Sequence, residues 1–512
     1  MKRSTFLKGI ATGLAAPALS IPVFGQITKT AQQNRFDAFS DALSQKPWLR
    51  GFVGTQQIET RTQMQTVYGA LPSGLRGALY RNGPAYHDIG GERFGHWFDA
   101  PGMIQKYAIK GNIIEHHGRF IATPRNRREL NENKMLFSAF GTGGAGLSSG
   151  GSADNQNTGN IHVTQHAGEL MALWEAGSPY ILDPDTLETK GKKVWSEEIE
   201  SLPFSAHTRH DHDGSLWSIG YSAIPGGLVL YHISADGELI NFGFMPMEVG
   251  GMMHDFVLTD TKLVVMIPPY LADKLEGEHF LDRYSWYGDQ PVKALVFDKS
   301  DLSLIREIEL DPFWVFHFGN AYDASSDEIV CDFAMHDDVT FMEDDAFAFM
   351  DGSWDGHVST GLTYAKVRMN IRTGQSILER RPEFGPAEFF RINPQDNLTN
   401  HRHTLMLTER DATLAGIKRG ENILFGRVVL YDRQSDRISA FSAPATQILE
   451  EHLIVPKPRS QDDFWILGTG HDWRTEETFF FVYEGLALED GPIFQANMDG
   501  VLPLGLHGNF IS

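Results

Sequence analysis

The chain has 512 residues, 41% hydrophobic and 21% charged, a globular composition that suits one large β fold or two to three ordinary domains. Its 66 acidic residues outnumber 44 basic ones, and the net charge of −22 repels phosphate backbones and argues against nucleic acid as a partner. Cys331 is the single cysteine, so no intrachain disulfide forms and cysteine use identifies no compartment.

Residues 1–25, MKRSTFLKGIATGLAAPALSIPVFG, join a basic start (Lys2, Arg3, Lys8) to small apolar residues and a tail suited to cleavage, the pattern of an export signal. The stretch RSTFLKG resembles a twin-arginine signal with Ser4 in place of the second arginine. The expectation is a periplasmic protein in which residues 26–512 form one domain. The alternative is a disordered or membrane-lying N-terminus. No later stretch offers the roughly 18 continuous apolar residues of a spanning helix.

Residues 34–48, NRFDAFSDALSQKPW, have helical spacing and predict a short N-terminal helix. Beyond it short β-type runs dominate, such as GLVLYHIS, KLVVMIP, KALVFD, RVVLYD and TFFFVYEG. Five segments run apolar strand, polar turn, second strand: 181–191, 231–240, 296–308, 369–380 and 430–441. Their turns carry Asp, Ser and Gly, which reverse the chain. They recur at intervals of about 50 to 75 residues, room for three or four strands per unit. The pattern predicts an all-β fold, a β-propeller, with a β-sandwich assembly as the alternative.

In a propeller the inner strands converge on one axis, which gives distant histidines a meeting point. Of 20 histidines, those at 116 and 117 and at 401 and 403 sit in polar segments. His207, His254, His317 and His507 instead stand at strand edges in apolar context. His207 and His254 are 47 residues apart and His254 and His317 are 63 apart, close to the hairpin interval. One histidine per blade near the axis would make a metal site, although no short motif such as HExxH marks it.

From about residue 50 to the end, a series of segments resembles the carotenoid cleavage oxygenase family, which includes apocarotenoid and lignostilbene dioxygenases and the retinal pigment epithelium isomerohydrolase. The segments are GALYRNGPAY (77–86), HWFDAPGMIQKYAIKGN (96–112), RFIATPRNRREL (119–130), ALWEAGSPYILDPDTLETKG (172–191), FSAHTRHDHDGSL (204–216), MMHDFVLTD (252–260), AEFFRINP (387–394) and LPLGLHGNF (502–510). The resemblance implies a seven-bladed propeller, with the short helix and a loop cap over an axial iron(II) site.

It also implies that His207, His254, His317 and His507 are the iron ligands. Glu175, Glu388 and Glu451 would accept the outer N–H groups of three of them, with Glu450 the neighbouring alternative in the last segment. Imidazole suits iron, and four neutral donors leave two adjacent coordination positions for O2 and substrate or water. Hydrogen-bonded carboxylates fix the histidine tautomers and make them better donors. The family usually has proline after its first ligand and this chain has Thr208, which leaves His210 and His212 as alternatives to His207.

The reaction implied is addition of O2 across a C=C bond with scission into two carbonyl products. The expected partners are O2 and an apolar olefin, with peripheral membrane contact for substrate uptake. Stilbene-cleaving relatives hold a phenol with a tyrosine and a lysine, whereas RFIATPRNRREL offers Arg125 and Asn126. The expected substrate is therefore a carotenoid or apocarotenoid, with a lignostilbene-type olefin as the alternative. An isomerase or hydrolase on the same iron, and a metal-free binding propeller, are the remaining readings. Segments 137–151 and 267–275 are candidate mobile or apolar segments at a tunnel mouth, with plain surface loops as the alternative.

Overall fold

Among the described residues, apolar strands broken by short polar turns form seven antiparallel sheets of four to six strands, the blades of a β-propeller, beside two small two-stranded sheets. The computed structural model describes residues 29–223, 225–356, 361–410, 424–460 and 462–512; the expected export signal lies outside them. No helix among the described residues is long and apolar enough to cross a membrane.

Blades 2 to 6 are four-stranded and each follows the chain from the axis outward. Blade 2 begins with His162–His166, blade 3 with Thr208–His210, blade 4 with Val257–Leu258, blade 5 with Trp314–Ser325 and blade 6 with Ala387–Ile392. The five hairpins expected from the sequence are the outermost strand pairs of these five blades. Each turn has a residue in the left-handed region: Leu187, Gly237, Leu302, Gly374 and Asp436, with φ of 57°, 86°, 62°, 76° and 58°.

Blades 1 and 7 close the ring. In blade 1 the C-terminal strand His507–Ile511 lies innermost against Gly77–Pro84, in a register that pairs His507 with Asn82. Blade 7 takes its outermost strand, Gln65–Gly69, from the N-terminal part of the chain. Its axial edge is split between Gln447–Leu449 and Leu453–Pro456, and Glu450 and Glu451 fall in the gap.

Apolar side chains pack in layers between neighbouring blades. Ile104 with Val163 joins blades 1 and 2, Val264 with Val315 joins blades 4 and 5, and Leu430 with Ile466 joins blades 6 and 7. Burial at about 25 cal/mol per Å² of apolar surface therefore fastens blade to blade. The axis is left to polar residues.

The N-terminal helix spans Ala31–Leu43, earlier than residues 34–48. Thr30 accepts from the Gln33 N–H while the Gln33 side chain accepts from the Thr30 N–H, a capping box that fixes the start. The expected last turn is displaced by Pro47, which opens a separate 3-10 turn, Pro47–Phe52. This helical layer packs on a cap in which a π-turn, Phe341–Asp345, runs into helix Ala346–Asp351. Phe52 stacks on Phe349 at 4.5 Å between ring centroids.

Candidate metal centre

His207, His254, His317 and His507 come together at the axis, with one ring nitrogen of each within 4.8 Å of the others. They belong to blades 3, 4, 5 and 1: His207 and His254 directly precede or closely approach inner strands, and His317 and His507 lie within them. His210 and His212 are exposed at the far side of the blade 3 edge, and His212 Nε2 lies 3.3 Å from Asp260. Neither takes the place of His207.

Three carboxylates orient three of the rings. His254 Nδ1 lies 2.9 Å from Glu175 Oε2, His317 Nδ1 2.6 Å from Glu388 Oε2, and His507 Nδ1 3.0 Å from Glu451 Oε1. A neutral imidazole that donates through Nδ1 keeps its lone pair on Nε2, directed at the other rings. His317 Nε2 is buried without a hydrogen-bond partner, and the Nε2 atoms of His207 and His254 face each other at 3.0 Å. A buried ring nitrogen without a partner, as at His317, is costly unless a cation receives its lone pair. The donor set therefore fits a divalent transition metal that accepts imidazole.

Among the described residues no glutamate is bonded to His207. Its ring packs on His162, 5.5 Å between centroids, and Ser205 ties it to its neighbour by accepting the His207 N–H at 3.1 Å and donating to His254 O at 3.1 Å.

Electrostatics follow this geometry. Burial, then the adjacent rings of His254, His507 and His317, hold His207 neutral well below the ordinary histidine range. Burial also outweighs Glu451 at His507, whose affinity for a proton falls. At His254 burial pulls the same way but Glu175 outweighs it, and the shift is upward. Burial disfavours ionised Glu388 and Glu451, yet His317 and His336 around the first, and Arg391 and His507 around the second, hold both below the usual carboxylate range.

Glu450 has another task. It accepts the Gly505 N–H and the Thr469 hydroxyl, both at 2.6 Å, and so anchors the C-terminal tail. Gly508 answers a steric need: a Cβ there would sit 2.3 Å from Tyr80 O across the paired strand. At Gly505 it would meet the Arg81 side chain at 2.5 Å.

A cavity of about 410 Å³ reaches the cluster from the side of His254, His317 and His507, walled by Phe98, Phe140, Phe280, Phe316, Phe341 and other apolar groups. That size is ordinary for a small-molecule site. Segment 137–151 contributes Ala139 and Phe140, whereas 267–275 contributes nothing to the wall. Tyr270 is instead buried between Tyr284 and Trp314.

Four residues at the site escaped sequence reasoning: Tyr221, His336, Arg391 and Phe389. The first three bond the carboxylates. Phe389 follows Glu388 at a bulge in the blade 6 inner strand, with φ of 58°, and stacks on His317. A bulky residue held in the left-handed region is a strained feature typical of functional sites. No local pattern announces any of the four, although Phe389 and Arg391 lie within AEFFRINP.

Comparison with known proteins agrees with this architecture. The chain is 24% identical to apocarotenoid-15,15'-oxygenase of Synechocystis over 91% of its own length and 96% of the relative's. It is 23% identical to resveratrol cleavage oxygenase 1 of Aspergillus fumigatus over 91% and 95%. Cobalt-substituted Synechocystis ACO superposes with a TM-score of 0.79 at 21% identity, covering 91% of this chain and 98% of that one. The model of the family described as retinal pigment epithelial membrane protein matches residues 53–512, and the chain belongs to that family, the carotenoid cleavage oxygenases.

Proposed function

We propose that this protein is an iron(II)-dependent dioxygenase that splits a C=C bond of a carotenoid or apocarotenoid into two carbonyl products. The observation that carries the reading is the four-imidazole cluster, backed by three carboxylates and opening on an apolar cavity. His207, His254, His317 and His507 would hold the metal. Iron(II) bound there supplies dioxygen activation, for which no side chain of the cavity substitutes.

The remaining work falls to the chain itself. Glu175, Glu388 and Glu451 keep the Nδ1–H tautomer on their partners, so each ring presents Nε2 without having to reorient. The phenylalanine walls favour an apolar chain and exclude water from the reacting bond. Scission consumes one O2 per C=C bond and places one oxygen atom on each carbonyl product.

A second reading, a hydroxylated stilbene as substrate, is favoured by one observation. Arg125 borders the cavity; its Nε pairs with Glu129 at 3.1 Å while Nη2 is buried without a partner. A phenolic oxygen would satisfy that donor. Asn126 is committed to the Ile121 and Thr158 carbonyls. Incubating the iron-loaded protein with an apocarotenal and with resveratrol under O2, with products weighed by mass spectrometry, separates the readings. The expected result is aldehyde formation from the apocarotenal; cleavage of resveratrol alone would move the assignment to stilbenes, and cleavage of neither would overturn both.

Export is also proposed, on the composition of residues 1–25. The precursor should be shortened near residue 25 and recovered from the periplasm; full-length protein retained in the cytosol would refute it.

A further inference from the structure

Each carboxylate beside the cluster sets one oxygen within 3.0 Å of Nδ1 of a ligand histidine and is gripped by a further side chain, and the grips range from a phenol to a guanidinium. Glu175 Oε1 accepts from the Tyr221 hydroxyl at 3.0 Å, a neutral donor. Glu388 Oε1 lies 2.9 Å from Nε2 of His336, an imidazole. Glu451 Oε1 accepts from Nε of Arg391 at 2.9 Å, a permanent cation, whose Nη2 also donates to Gly508 O at 3.0 Å. Arg81 Nη1 stands 3.9 Å from the other Glu451 oxygen and adds a second cation.

We infer that Tyr221, His336 and Arg391 are positioning residues that act on the metal through Glu175, Glu388 and Glu451, and that they grade the three histidines as donors. A carboxylate hydrogen-bonded to a ligand imidazole lends it negative charge and so strengthens its bond to the metal. Charge drawn toward a guanidinium is not available to the imidazole, because a bidentate or charge-assisted contact is the strongest that a carboxylate makes. His254, backed by Glu175 and a phenol, is accordingly the strongest of the three donors and His507, backed by Glu451 and Arg391, the weakest.

Geometry gives the gradient a direction. Blades 4, 5 and 1 supply His254, His317 and His507, and the cavity meets the cluster on the side of these same three rings. His207, which no glutamate backs, does not line the cavity. The unequal donors are thus the ones nearest the space where substrate would lie. This inference rests on the metal-binding reading above.

The experiment loads wild type and variants with cobalt(II), measures the dissociation constant from the visible absorption of the bound ion, and then measures the iron(III)/iron(II) midpoint potential of the iron-loaded proteins. Arg391→Gln keeps a donor but removes the charge. It should favour iron(III) over iron(II) by about 10-fold, a potential lower by about 59 mV, while Arg391→Lys stays at the wild-type value. His336→Phe frees Glu388 to turn away from His317, a loss of positioning that outweighs any charge returned to the ring; it should weaken cobalt binding about 10-fold, and His336→Gln, which retains an N–H donor, should restore it. Tyr221→Phe should leave the potential at or below that of wild type. Thermal midpoints of the metal-free proteins identify any variant that fails to fold, and the conservative partner then decides. Equal potentials in Arg391→Gln and Arg391→Lys, or a His336→Phe protein that binds cobalt like wild type, would overturn the inference. Failure of wild type to bind cobalt at all would instead defeat the metal-binding reading.

Discussion

Glu450 and Glu451 are neighbours in sequence with separate tasks: Glu451 lies 3.0 Å from His507 Nδ1, while Glu450 accepts the Gly505 N–H at 2.6 Å. Glu451→Gln should therefore weaken metal binding by about 10- to 100-fold, and it should also cost stability, because it removes the charge that Arg391 and Arg81 face. Glu450→Gln, which weakens two buried hydrogen bonds, should cost about 1–3 kcal/mol of stability and leave metal affinity within a few-fold. Metal titration and thermal midpoints of the two variants check the assignment, and an exchange of phenotypes would contradict it.

Removing a ligand should empty the site without unfolding the propeller. His254→Ala and His317→Ala each leave three imidazoles, and iron content after purification should fall from about one per chain to a small fraction. The far-ultraviolet spectrum should not change, because the apolar layers between neighbouring blades, and not these two rings, carry most of the packing. Full iron occupancy in either variant would contradict its place among the ligands.

Acid should destabilise the metal-free protein, and the sign follows from two sets of groups. Glu388 and Glu451 titrate below the ordinary 4.5 in the folded state, so their contribution is complete above about pH 4.5 and is lost as pH falls through their folded values. His207 and His507 are held neutral below the ordinary 6.5, so their stability is present above that value and is lost below it. Urea midpoints between about pH 7 and pH 4 should fall for wild type. Glu388→Gln should start lower, and its gap from wild type should narrow below about pH 4.5; a constant gap would contradict the role given to Glu388.

Gly508→Ala should destabilise the protein by about 1–3 kcal/mol, because the added Cβ would sit 2.3 Å from a backbone carbonyl in a strand pair that closes the ring. A thermal midpoint equal to wild type would show that this closure tolerates more separation than the geometry allows.

The sequence showed the outer hairpins of blades 2 to 6 because each is a local event, two apolar runs joined by a turn of Asp, Ser or Gly. Blades 1 and 7 were not legible in that way. Their outermost strands, Glu59–Gln63 and Gln65–Gly69, are largely exposed, lack a buried apolar face and pair far along the chain. The ligand histidines stood out by apolar context, and their gathering follows from blade geometry. Tyr221, His336 and Arg391 carried no signal, since what sets them apart is a contact to a carboxylate from another blade or another strand. Segment 267–275 stood out as a candidate for a tunnel mouth because it is apolar, but Tyr270 packs against Trp314 and the segment does not line the cavity.

The central claim is that four imidazoles hold one metal ion at the propeller axis. Anomalous diffraction at the iron absorption edge, from crystals of protein purified with iron(II), tests it most directly. The account predicts one anomalous peak bonded to Nε2 of His207, His254, His317 and His507, with Glu175, Glu388 and Glu451 still on Nδ1 of three of them. A peak elsewhere, or a fully iron-loaded protein with no density between these rings, would contradict it.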